Sequence, residues 1–261
     1  MYPILFNIGP FHVYSWGLFF VLAFIGGVIV AAKGARRYGI PAENVFDMAL
    51  WILVGSIVGA RGLFVALEWP SYAGEPWWQI FGFEAGGLSG LSFHGGLFGG
   101  FLAGLVYAKG HRLSIPALAN VVAPALALGY AIAKVGCFLN GDDYGTVSSV
   151  PWAVQTWMAP GLRHPVQLYD GFLNFLLFIL LWRLLSDKRF ARGELFPLYL
   201  ALYSSIRFTT EFVRESPVLF FGWMKVAQFA SLLVGLAAVA WIAWSRSSAD
   251  SRQRPPRQKV K

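Results

Sequence analysis

The sequence predicts an all-α polytopic membrane protein of about seven transmembrane helices, with its N-terminus outside and its C-terminus inside. Three observations carry that reading. Of 261 residues, 57% are apolar and only 13% charged, against about 25% charged in an ordinary soluble domain. The mean hydropathy of +0.57 is spread over the whole chain, which excludes a disordered protein. The apolar residues also gather into seven runs near the ~20 residues that a spanning helix needs. No stretch alternates apolar and polar residues as the strands of an outer-membrane barrel do.

The first run, residues 14–32, follows a segment without Lys or Arg. It lacks the basic region of a cleaved signal peptide and is expected to stay as a helix. The second covers residues 49–67 and carries Arg61. The third, 93–108, is short and Gly-rich, and begins at His94. The fourth, 115–139, carries Lys134; the fifth is 165–185. The sixth, 195–213, carries Tyr203, Arg207 and Glu211, and the seventh is 219–244. Between alternate runs lie Lys33, Arg36, Arg37, Lys109, Arg112, Arg183, Lys188, Arg189, Arg192 and the C-terminal basic residues, fifteen of the 21 Lys and Arg. The positive-inside rule makes that side cytoplasmic and requires an odd number of spans.

Residues 1–261 are read as one transmembrane domain, with 246–261 a basic, disordered cytoplasmic tail. Much of the net charge of +8 sits in that tail, which suits anionic membrane lipids better than nucleic acid. Glycines at four-residue intervals, Gly55 with Gly59, Gly95 with Gly99, and Gly96, Gly100 and Gly104, mark close helix packing.

Several chemistries are excluded. One cysteine, Cys137, allows no intrachain disulfide and no Cys-rich metal framework. His12, His94, His111 and His164 fall on both sides of the expected membrane, so no metal site is expected. Phosphate-binding Gly-rich loops ending in Lys-Ser or Lys-Thr, His-Glu-x-x-His and Gly-x-Ser-x-Gly are all missing.

Six basic residues remain where lipid should not tolerate them: Arg61, Lys134, Arg163, Arg207, Arg214 and Lys225. A charge near the bilayer centre costs about 3 kcal/mol on insertion scales and marks a candidate for function. Lys225 has no motif around it and reads better as a paired structural charge. Tyr203, Arg207, Glu211 and Arg214 fall on one helix face, and two Arg to one Glu should leave that stripe cationic. Arg207 lies about 12 residues into its span, roughly 18 Å along a helix and past the midplane of a roughly 30 Å core. Arg61, Lys134 and His94 are expected at the same outer level. Such a cationic group suits the phosphate of an anionic lipid headgroup, and His94, between Phe93 and Gly95-Gly96, is placed to accept a proton.

With these residues in view, the sequence resembles the phosphatidylglycerol:prolipoprotein diacylglyceryl transferases of bacterial inner membranes. Ser92-Phe93-His94-Gly95-Gly96-Leu97 matches the family motif without change. Phe6 to Pro10 and Tyr14 to Leu18 resemble its start, and Arg163-His164-Pro165-Val166-Gln167-Leu168-Tyr169-Asp170 resembles its Arg-His-Pro-Ser-Gln-Leu-Tyr-Glu. Tyr203, Arg207, Glu211 and Arg214 keep the family's intervals. The signature Gly-Arg-x-Gly-Asn-Phe-x-Asn-Gly-Glu-x-x-Gly reads here from Ala133 to Gly145, with Lys134 for Arg, Cys137 for Asn and Asp142 for Glu. Trp16 stands where the family usually has Tyr.

The resemblance implies transfer of the diacylglyceryl group of phosphatidylglycerol to the lipobox cysteine thiol of a prolipoprotein, with glycerol phosphate released and no cofactor. His94 would be the base for the thiol. Arg207 and Lys134 would neutralise the phosphate, Glu211 and Asp142 would orient those cations, and Tyr203 and Asn140 would donate hydrogen bonds. Arg61, Arg163, Arg214 and Trp16 would complete the substrate contacts. A carrier of anionic phospholipid, which needs the cations but not His94, and a non-catalytic paralogue are the alternatives.

Overall fold

Helices occupy all seven expected runs in the computed structural model, which describes residues 1–253 apart from 10, 85, 86, 89, 188, 189, 191, 192 and 221. They are α1 (Ser15–Ala35), α2 (Ala42–Leu67), α4 (Phe93–Gly110), α5 (Ile115–Asn140), α6 (Val166–Leu184), α7 (Leu195–Thr210) and α8 (Val226–Gln253), with a single-turn α3 (Trp69–Tyr72) between α2 and α4. Five of them, α1, α2, α5, α6 and α8, are long and apolar enough to cross a membrane. The other two fall short for physical reasons. Six glycines dilute the 18 residues of α4, and α7 has only 16 residues before it tightens into a 3-10 turn, Glu211–Val213. Phe20, Ile25, Leu50, Val58, Phe172 and Leu236 are exposed on helix flanks, as expected of a multi-pass membrane protein whose outer surface meets lipid.

The chain divides into two compact units, Met1–Ala31 with Pro116–Lys261, and Ala32–Ile115. In the first, the antiparallel hairpin β1 (Ile4–Ile8) and β2 (Phe11–Tyr14) leads into α1 and is tied to the end of α5 by Tyr2 N–H donating to Leu139 O at 2.7 Å. Small residues bring α1 onto α5: a Cβ on Gly27 would lie 3.4 Å from Ala125 O, and one on Gly129 3.3 Å from Ala23 O. Pro124 lies inside α5 and is buried. Helix α6 packs on α7, and α7 on α8. The last helix starts later than its apolar run suggests. Strands β7 (Val218–Phe220) and β8 (Met224–Lys225) pair first, turning through Gly222 at φ +70°, a conformation open to glycine. The helix then continues to Gln253, into the segment expected to be a disordered tail; residues 254–261 lie outside the described residues.

The second unit is built on α2 against α4. A Cβ on Gly55 would lie 2.7 Å from Gly99 O, and one on Gly59 2.9 Å from Gly99 Cα, so the four-residue glycine spacing does bring two backbones together. Gly99→Leu is therefore expected to destabilise the full chain by about 3 kcal/mol, the upper end of ordinary overpacking. Gly96→Ala, whose methyl would meet Ser56 O at 3.4 Å, should stay close to wild type. Thermal melts in detergent compare the two.

Candidate active site

The first unit gathers charge between three helices. On α5, Tyr130 and Lys134 are one turn apart and share a face. On α6, Gly171 lets the helix approach α5, where an added Cβ would stand 3.4 Å from Ala131 O and from Lys134 Cβ. That approach delivers the preceding residue, Asp170, beside Lys134. Helix α7 contributes Tyr203 and Arg207, and the turn after it contributes Glu211 and Arg214.

Asp170 is the hub. Its Oδ2 accepts from Arg214 Nη2 and from the Tyr130 hydroxyl at 3.3 Å, and lies 3.6 Å from Lys134 Nζ and 3.9 Å from Arg207 Nη1. A second carboxylate, Asp143, accepts from Lys134 Nζ and from Arg214 Nη1. The third, Glu211, lies 3.1 Å from Arg207 Nη1 and 3.3 Å from Arg214 Nε, and accepts from the Ser216 hydroxyl. Tyr203 packs its ring edge-on to Tyr130 at 5.2 Å, while the Lys134 ammonium sits 4.9 Å from the Tyr130 ring centre, an orientation that stabilises a cation.

Within this unit the structure brings together Lys134, Tyr203, Arg207, Glu211 and Arg214. Two expectations change. The stripe is not left cationic, because Asp143 and Asp170 join Glu211, and three carboxylates face Lys134, Arg207 and Arg214. The loop acid paired with Lys134 is Asp143, not Asp142. Balance is what burial demands, since an uncompensated ion there costs several kcal/mol. Hydrogen bonding is nevertheless uneven. Arg214 is 2% exposed and hydrogen-bonds the carboxylates of Asp143 and Asp170, whereas the Arg207 side chain is 22% exposed. Arg207 Nη1 is close to Glu211 without the orientation of a hydrogen bond, and has no such partner.

Asp142, Asn140 and Trp16 are found in another place. With Tyr14 and Gly17 they line an open cavity of about 350 Å³, and Asp142 Oδ1, buried, accepts no hydrogen bond. Beside Lys134, an apolar groove of about 460 Å³ runs between α5 and α6, lined by Leu128, Ile132, Val135, Leu168, Phe172 and Phe175. Arg163 holds loops together: its Nη1 donates to Gly145 O at 3.1 Å and Glu215 Oε2 at 3.3 Å, its Nε to Pro160 O at 3.1 Å, and its guanidinium lies 4.9 Å from the Tyr144 ring. Lys225 is structural, as expected of it, donating to the carbonyls of Glu211 and Arg214.

In the second unit, His94 occupies the second position of α4. Ser92 caps that helix, its hydroxyl accepting from Gly95 N–H at 3.4 Å. The His94 ring is exposed and meets the Phe93 ring edge-on at 5.7 Å. Arg61 is engaged by the loop that leads to it. Its Nε donates to Ile80 O at 2.6 Å, Nη2 to Gln79 O at 2.7 Å and Tyr72 Oη at 3.1 Å, and Nη1 to Gly90 O at 3.0 Å. Gly82 and Gly90 make room for it, since a Cβ on Gly90 would fall 2.7 Å from Nη1. Among the described residues no three His, Cys, Asp or Glu side chains gather as a metal-ligand set.

Asp170 and Asp143 are the site residues that sequence reasoning passed over. A signal existed for Asp170: it is a carboxylate inside an apolar span, where its cost matches that of an Arg.

Residues 3–244 match the family model described as prolipoprotein diacylglyceryl transferase. Relatives named "Phosphatidylglycerol--prolipoprotein diacylglyceryl transferase" include one from Chromohalobacter salexigens, 35% identical and covering 94% of this chain and 92% of the relative. One from Gloeobacter violaceus is 32% identical, with 97% and 96% covered, and one from Oceanobacillus iheyensis is 30% identical, with 94% and 88% covered.

Proposed function

The chain belongs to the prolipoprotein diacylglyceryl transferase family, and from that membership we propose that it moves the diacylglyceryl group of phosphatidylglycerol onto the lipobox cysteine thiol of a prolipoprotein at the bacterial inner membrane, releasing glycerol phosphate. The observation that carries the reading is the set of Lys134, Arg207 and Arg214 gathered around Asp170.

The chemistry explains why such a set is needed. The substrate sulfur attacks the glyceryl carbon that bears the phosphate oxygen. A sulfur–carbon bond forms, the carbon–oxygen bond breaks, and its electron pair stays on that oxygen. The phosphate passes from a monoanionic diester to a dianionic monoester, so the transition state differs from the ground state by charge growing on one group. Interactions that strengthen with that charge raise the rate. Lys134, Arg207 and Arg214 face it; Glu211 and Asp170 hold the cations so that they need not reorganise. Tyr203 supports them as a hydrogen-bond donor.

The thiol proton goes to His94. A thiol of pKa about 8.5 needs only modest help, whereas the leaving group needs concentrated positive charge. Asp142, Asn140 and Trp16 take the glycerol head, whose hydroxyls are the donors that Asp142 Oδ1 lacks. The groove between α5 and α6, which begins beside Lys134, takes an acyl chain. Arg61 and Arg163 serve the site by fixing the loops that carry His94 and Gly145.

Incubating the purified full chain with labelled phosphatidylglycerol and a lipobox peptide should yield thioether-linked lipid and glycerol phosphate. If neither appears under conditions where a relative is active, the reading is wrong. His94→Gln should lower kcat by about 10²- to 10⁴-fold, the usual contribution of a positioned base, while leaving binding of phosphatidylglycerol unchanged. A carrier would keep its lipid movement in that variant.

A further inference from the structure

Asp143 differs from the other acids of the cluster. Asp170 and Glu211 have side chains 1% and 0% exposed and are carried by the helix and turn around the cluster, while that of Asp143 is 26% exposed. It reaches in from a loop, on a residue at φ +56°, in the left-handed region that Asp and Asn tolerate best after glycine. One of its oxygens accepts from Lys134 Nζ and the other from Arg214 Nη1. That is how two oxygens of a phosphate sit between an ammonium and a guanidinium.

We propose that Asp143 is a placeholder for the substrate phosphate: in the lipid-free protein its carboxylate fills the anion seat between Lys134 and Arg214, and an anionic headgroup enters by displacing it. The proposal rests on reading the cluster as a phosphate seat. With Asp143 in place, three cations face three carboxylates and the empty site is balanced; with a phosphate in place, Asp143 is the acid that can leave. It is the most exposed of the three, and no helix needs to move to release it. Asp143 therefore competes with the lipid and sets its apparent affinity, since a seat open only part of the time binds more weakly by that fraction.

Two measurements on the full chain in nanodiscs test this. The first is transfer kinetics of Asp143→Asn, which keeps the shape, the backbone conformation and a weak acceptor but removes the charge. The KM for phosphatidylglycerol should fall about tenfold, as for a seat open roughly a tenth of the time. An unchanged or raised KM in a folded variant overturns the proposal. The second uses the wild type: carbodiimide labelling of carboxylates, read by mass spectrometry in nanodiscs of phosphatidylglycerol or of phosphatidylcholine. Labelling of Asp143 should rise with the anionic lipid, and equal or lower labelling overturns the proposal even if the variant fails to fold. A wild type that transfers lipid while both measurements come out flat removes the placeholder and leaves the phosphate seat standing. A wild type that neither transfers lipid nor binds the anionic one removes both.

Discussion

Arg207→Ala is expected to lower kcat by about 10³-fold, the order found when one preorganised donor to a developing anion is removed, and to leave the fold close to intact. The structure separates the two effects. Without Arg207, Glu211 keeps Ser216 and Arg214, and Asp170 keeps Arg214, Tyr130 and Lys134, so no buried acid is stranded. What is lost is the Arg207 guanidinium that faces the developing phosphate charge. Such a loss lowers kcat and kcat/KM together. Arg207→Lys keeps the charge without the planar fork and should fall between the two. Transfer kinetics paired with thermal melts check this; a mild loss of rate with a large loss of stability would assign Arg207 to structure alone.

Asp170→Ala should act on stability, and two effects of opposite sign decide it. Deleting a carboxylate from a span relieves an insertion cost of about 3 kcal/mol, which by itself would stabilise α6 in the membrane. Against this, Asp170 is the shared partner of Lys134, Arg207 and Arg214, and breaking a buried ion pair from one side costs about 3–5 kcal/mol. All three cations touch this acid, and removing it leaves three of them facing two carboxylates, so the second effect wins. The variant is expected to melt well below wild type or to fail to accumulate. Asp170→Asn, which keeps an acceptor, should fold better and still transfer slowly. A melt of Asp170→Ala at or above that of wild type would mean that the cations are held by other means.

The helices were legible because spanning runs are long and uninterrupted, and the glycine contacts because four-residue spacing has one common cause in lipid. The β7–β8 hairpin was hidden inside an apolar run, where Val218 and Phe220 suit strand and helix alike and only Gly222 marks the turn. At the site, Tyr203 and Arg207 could be read together from helical spacing, whereas Glu211 and Arg214, expected on the same helix face, lie in and just after the 3-10 turn that ends it. Asp170 could not be placed with them without knowing that α6 lies against α5 at Gly171, a contact distant in sequence. Asp143 was harder still, since adjacent loop acids differ only in backbone conformation. Arg61 shows the opposite difficulty. An Arg in an apolar run points to a ligand, and here loop carbonyls near two positive-φ glycines, Gly82 and Gly90, occupy it.

All of this depends on where the phosphate sits. A structure of the full chain with phosphatidylglycerol bound should place the phosphorus among Lys134 Nζ and the Arg207 and Arg214 guanidiniums, with the Asp143 carboxylate turned away. A headgroup bound elsewhere, with the three cations still closed on their carboxylates, would contradict the account.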